Sequence, residues 1–129
     1  MEFLNRVKSH AEEKGVPLCV EIFNDKYQNP SLGRVRPSPR VRVLFDIYHV
    51  QIMDGNVVEN MKAVFPLIAH FHTAGVPGRH EIDENQELNY PFILTTIADM
   101  GYTAMWLMNT HAGEESGGDA AKVLGIADV

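Results

Sequence analysis

The sequence has 129 residues, 45% hydrophobic and 22% charged, with a formal charge of −6 at neutral pH. That length sets an expectation of one domain over residues 1–129 with a real hydrophobic core, and the composition is that of a globular chain. No run approaches the about 20 apolar residues of a membrane span, and an acidic chain lacks the basic face with which nucleic-acid binders neutralise phosphates, so neither partner is expected.

The start, Met-Glu-Phe-Leu-Asn-Arg, carries no uninterrupted apolar segment after its first positive charge, so a secretory signal is not expected and the expected location is the cytoplasm. Residues 2–14 place Phe3, Val7 and Ala11 at helical spacing among charged neighbours, with Gly15 as a C-cap, which predicts an amphipathic helix. Pro17 precedes Leu18-Cys19-Val20-Glu21-Ile22, a run apolar enough for a strand covered on both faces, in which Cys19 reads as a buried small hydrophobe. Residues 24–40, rich in Asn, Pro, Gly and Arg, read as a loop, and the basic cluster Arg34, Arg36, Arg40 and Arg42 as a solvated stretch of it. A second buried strand is expected at 41–47, a helix at 57–65 stopped near Pro66, and a third strand at 67–72. After a loop at 73–88, Asn89 caps a helix with Pro91 in its first turn and Ile93, Ile97 and Met100 on its apolar side, ended by Gly101. A fourth strand at 103–108 and a glycine-bearing tail with a short helical stretch at 119–124 complete the pattern.

Strands alternating with helices predict a parallel sheet with right-handed crossovers, whose binding residues gather at the carboxyl ends of the strands. Those ends carry Glu21, Asp46 with His49, His72 and Asn109. Alternation along a strand puts Leu44 with Asp46 on one face of their strand and His70 with His72 on one face of theirs, so each pair can point inward. Two carboxylates and an imidazole on neighbouring strands suit a divalent cation such as Mg²⁺ or Mn²⁺; the same residue types also end strands with no ligand at all. The segment Thr73-Ala74-Gly75-Val76-Pro77-Gly78-Arg79-His80-Glu81 fits either a loop that brings Arg79 over an anionic or polyhydroxy ligand or a solvated surface turn.

Three runs carry a family resemblance: Leu44-Phe45-Asp46-Ile47-Tyr48-His49-Val50-Gln51-Ile52, His70 through Glu81, and Gln86-Glu87-Leu88-Asn89-Tyr90-Pro91. They resemble the hydroxypyruvate isomerases of the xylose-isomerase-like (β/α)₈ superfamily, specifically over residues 41–102. The resemblance implies four parallel β/α units similar to the second half of such a barrel; four strands cannot close a barrel, so self-association into a homo-oligomer is expected to cover the edge strands. It implies Glu21, Asp46 and His72 as metal positions, Glu21 also as catalytic base, and His49 and Arg79 as substrate contacts. The family's chemistry moves a proton between adjacent carbons of a small hydroxy-carbonyl acid through an ene-diolate, with a divalent metal polarising both oxygens. In the fourth metal position the family has a Glu where this chain has Asn109, which offers a carbonyl oxygen but takes no proton at neutral pH. A full barrel of this kind also takes about 250 residues. The expectation is therefore an isomerase-like protein of weak or lost turnover. The alternatives are a non-catalytic half-barrel that binds a metal or sugar acid, and a structural or interaction fragment of isomerase ancestry.

Overall fold

The computed structural model describes residues 2–21, 39–103 and 106–108, with side chains described over 6–21 and 39–103. In chain order the elements are α1 (Glu2–Lys14), β1 (Leu18–Glu21), β2 (Val41–Asp46), α2 (Ile47–Met53), α3 (Val57–Val64), a 3₁₀ turn (Phe65–Leu67), β3 (Ile68–Thr73), α4 (Tyr90–Asp99) and β4 (Trp106–Met108). The four strands make one sheet in the order β1-β2-β3-β4, and β1 runs parallel to β2. Among the described residues no helix is long and apolar enough to cross a membrane. Packing groups the chain into two units, Met1–Phe71 and His72–Val129, the division falling inside β3.

In the first unit α1 has the bounds its periodicity predicts, with Ala11 buried. Its end is a Schellman motif. Gly15 takes φ +69°, its N–H donates to Glu12 O (3.3 Å), and the N–H of Val16 reaches back to Ala11 O (3.0 Å). β1 and β2 then pair with Leu18 opposite Val41 and Glu21 opposite Leu44. The Arg40 guanidinium donates to Gly15 O at 2.9 Å, and Arg42 donates to Pro66 O at 2.9 Å. These two arginines are thus anchors on backbone carbonyls and not part of a solvated loop; Arg42 stands within β2 itself. Arg34, Arg36 and the rest of the expected loop at 24–40 up to residue 38 lie outside the described residues, as do residues 22 and 23.

Two further expectations are corrected here. β1 is not covered on both faces, because Leu18, Val20 and Glu21 are half-buried and Cys19 is exposed. An apolar run reports what a strand can bury, and β1 stands at an end of the sheet order. Partial burial still pushes the Cys19 thiol above its usual pKa, against the pull of Arg42, so it stays protonated at neutral pH and is a poor nucleophile. Second, β2 ends at Asp46 and not at residue 47: Ile47 opens α2, a helix not expected from the sequence. The core of this unit is Phe45, Ile47, Val57, Met61, Ile68 and Phe71, with Phe45 and Phe71 edge-on at 5.8 Å between ring centroids. Val57 and Met61, four apart, form the buried stripe of α3, and Pro66 in the following 3₁₀ turn closes the run.

In the second unit the expected cap is present: the Asn89 side chain accepts from the N–H of Phe92 at 3.3 Å, with Pro91 in the first turn of α4. Ile93 and Ile97 are buried, whereas Met100 is the half-buried C-cap. Gly101 at φ +83° closes a second Schellman motif, through Gly101 N–H to Ala98 O (2.9 Å) and Tyr102 N–H to Ile97 O (3.3 Å). Of the expected strand at 103–108, Trp106–Met108 is strand. Asn109 and the expected helix at 119–124 lie outside the described residues.

Candidate metal and substrate site

The site begins with strand pairing. Glu21 lies opposite Leu44, and Leu44 shares a face with Asp46, so the two carboxylates project from one side of the sheet one pleat apart, about 6.6 Å along the strands. Asp46 is almost fully buried, at 1% exposure. It is the N-cap of α2: its backbone is extended, and its Oδ1 accepts the N–H of His49 at 3.2 Å. An N-cap carboxylate reaches the amide three residues on, which here belongs to His49. The same turn leaves Oδ2 on the side of the His49 ring, 3.7 Å from Nε2, while Glu21 Oε1 lies 3.8 Å from that nitrogen. These separations exceed hydrogen-bond length, and the imidazole nitrogen stands nearly equidistant from the two carboxylates. Tyr48 packs edge-on against it at 5.4 Å.

The third candidate ligand rides on β3, which continues through His72 and Thr73, both buried. Glu21, Asp46 and His72 each offer one ligand atom, and those atoms lie within 4.8 Å of one another. Two carboxylate oxygens and an imidazole nitrogen are a donor set that fits a divalent cation with open positions for water. His49, with its side chain 5% exposed, stands beside this set. Asn109, the fourth expected ligand, lies outside the described residues.

Arg79 stands on the segment from Ala74 to Asn89, which is built more firmly than a solvated turn. Ala74, Val76, Ile82 and Leu88 are buried along it. The N–H of Gly75 donates to His80 O at 2.7 Å, and the N–H of Glu87 to Val76 O at 2.7 Å. Gly75 is required by close approach: a Cβ there would stand 2.5 Å from the Glu81 carbonyl oxygen. Gly78, in left-handed backbone at φ +85°, precedes Arg79, itself at φ +62° and half-buried. The Gln86 side chain folds onto Leu88, accepting its N–H at 2.7 Å and donating to its carbonyl. Sequence reasoning missed the role of Tyr90 altogether. Its buried hydroxyl accepts from the N–H of Ala74 (3.0 Å) and donates to the Ala74 carbonyl (2.7 Å). The available signal was a tyrosine just after the Asn89 cap, where a helix's first turn faces the preceding loop.

Comparison with known proteins places this geometry in a lineage. A Xenopus laevis protein assigned as a hydroxypyruvate isomerase is 42% identical over 64 residues, 50% of this chain and 23% of that one. The 2-oxo-tetronate isomerase of Pectobacterium atrosepticum is 35% identical over 86 residues, 67% of this chain and 32% of that one. The crystal structure of an AP endonuclease, family 2, from Brucella melitensis superposes with a TM-score of 0.68 at 28% identity, over 80% of this chain and 43% of that one. The chain thus spans only 23% and 32% of those two curated relatives. A family model described as xylose isomerase-like TIM barrel matches residues 1–125, and the chain belongs to that family.

Proposed function

We propose that this chain carries part of a metal-dependent isomerase site for small hydroxy-carbonyl acids, with hydroxypyruvate as the reference substrate. The observation that supports this reading is the convergence of Glu21, Asp46 and His72. The isomerase names of the relatives at 42% and 35% identity narrow the chemistry. The formal charge of −6 argues against nucleic acid as the substrate.

Glu21, Asp46 and His72 hold the cation, with Asn109 as a neutral fourth donor. Bound there, a divalent cation supplies polarisation of the substrate's carbonyl and hydroxyl oxygens. Glu21 takes the proton from the hydroxyl-bearing carbon and returns it at the former carbonyl carbon, the hydroxyl proton passing to the former carbonyl oxygen, while His49 and Arg79 hold the substrate's oxygens and its carboxylate. A positioned acid or base contributes about a hundred- to ten-thousand-fold in rate, so Asn109 in the place of a second carboxylate lowers turnover by that order. The second reading, binding without turnover, rests on that same residue. A second copy of the chain would complete the barrel, in keeping with half-exposed Leu18 and Val20 on β1 at the sheet's end.

Calorimetry with Mn²⁺, followed by a hydroxypyruvate isomerisation assay on the loaded protein, tests the reading. Asp46→Ala is expected to abolish the binding heat, and Asn109→Glu to strengthen it. Heat that persists unchanged in Asp46→Ala would place the cation elsewhere. Turnover that survives Glu21→Gln would remove the assigned base. A stable monomer in sedimentation at micromolar concentration would end the idea of completion by self-association.

A further inference from the structure

We infer that Tyr90 is a positioning residue whose phenol holds the Gly75–His80 turn, and with it Arg79, through Ala74. The inference rests on the proposed role of Arg79 as a substrate contact. One buried hydroxyl takes both backbone groups of a single residue, accepting the Ala74 N–H at 3.0 Å and donating to the Ala74 carbonyl at 2.7 Å. Ala74 is the first residue beyond β3 and is 1% exposed, and Tyr90 is fully buried as the first residue of α4. The clamp therefore ties the exit of the strand to the entrance of the helix, across the whole intervening loop.

Beyond Ala74 the loop is built outward from that fixed point. Gly75 closes onto His80 O, and Val76 O receives the Glu87 N–H, so the two rings overlap over residues 76–80. Arg79 sits in the stretch that both rings share, its left-handed backbone set between Gly78 and His80. A residue in that conformation has little freedom to reorient unless its ring opens. Losing the clamp leaves a buried donor and acceptor at the loop's origin, which favours opening of the turn while leaving the metal ligands' side chains intact.

Tyr90→Phe keeps the ring and its packing and removes the hydroxyl alone. Three proteins are compared, Tyr90→Phe, Arg79→Ala and the double variant, with Mn²⁺ affinity by calorimetry, hydroxypyruvate affinity on the Mn²⁺-loaded protein, and amide exchange. In Tyr90→Phe, exchange at Ala74, Gly75 and Glu87 is expected to rise by roughly tenfold or more while Ile97 inside α4 stays protected. Mn²⁺ affinity is expected to stay unchanged. Hydroxypyruvate affinity is expected to fall about tenfold, with the double variant no weaker than Arg79→Ala alone, because the two residues act as a unit. Unchanged exchange at Gly75 overturns the proposal. Additive losses in the double variant overturn it as well, since they would show that Tyr90 acts without Arg79. An Arg79→Ala protein that binds hydroxypyruvate normally sinks the substrate reading of Arg79, and the exchange rates then still support or overturn Tyr90's hold on the turn.

Discussion

Two strand ends solve the same problem by different means. After β2 there is no loop: Asp46 closes the strand and caps α2 in one residue, and the helix then delivers His49. After β3 the chain travels from Ala74 to Asn89 before α4 begins, and its order comes from a tyrosine clamp, two backbone rings and a glutamine folded onto Leu88. The first corner is rigid because it is short and one carboxylate does two jobs. The second is rigid because many weaker ties act in series. A short corner should fail all at once when its central residue changes, and a long one by degrees.

The largest effect is expected at the first corner. Asp46→Ala should weaken Mn²⁺ binding by more than about a hundredfold, beyond what loss of a residue supporting a ligand causes, and lower unfolding free energy by about 1 kcal/mol through the lost cap. Asp46→Ser separates the two jobs: urea unfolding should show stability restored while calorimetry shows no metal. If Asp46→Ser is as unstable as Asp46→Ala, the cap is not what orders this corner. Next comes Gly75→Ala, whose Cβ would press on the Glu81 carbonyl at 2.5 Å; forced overpacking should cost about 1–3 kcal/mol in urea titration. Tyr90→Phe should rank below it at about 1–2 kcal/mol, for the two backbone groups left unsatisfied. Gln86→Ala is the smallest, about 0.5–1 kcal/mol, because its bonds to Leu88 are only partly buried. A Gln86→Ala loss equal to that of Gly75→Ala would mean the long loop unfolds as one piece, and the contrast between the corners would disappear.

The same contrast explains what could be read from the sequence. Helix α1, the Asn89 cap, both glycine stops and the strands as elements were legible, because each depends on residues within one or two turns of itself. The positions of Glu21, Asp46 and His72 at strand ends were legible too, from the alternation of strands and helices. What brings them within 4.8 Å is the parallel register of β1 on β2 and the placement of β3, which no local pattern states. Helix α2 was missed because Ile47 extends an apolar run as easily as it starts a helix, and the Asp46 cap was the overlooked clue. Arg40 and Arg42 were misread because a charge cluster on paper does not say which backbone carbonyls lie within reach. The role of Tyr90 was missed since its partner, Ala74, lies far along the chain.

The Asp46 cap also bears on which changes the gene can tolerate. Its bond to the His49 amide fixes their separation by helical geometry, and each added residue turns a helix by about 100°. A single-residue insertion or deletion between them would swing the imidazole off the carboxylates even if every side chain were retained. Substitutions at Ile47 and Tyr48 test packing, whereas a length change there tests the site itself. The stretch from residue 46 to residue 49 should therefore hold constant length among functional variants, with tolerance for insertions confined to surface turns such as the one at Asp83–Asn85, where the Asp83 side chain accepts the Asn85 N–H in the open.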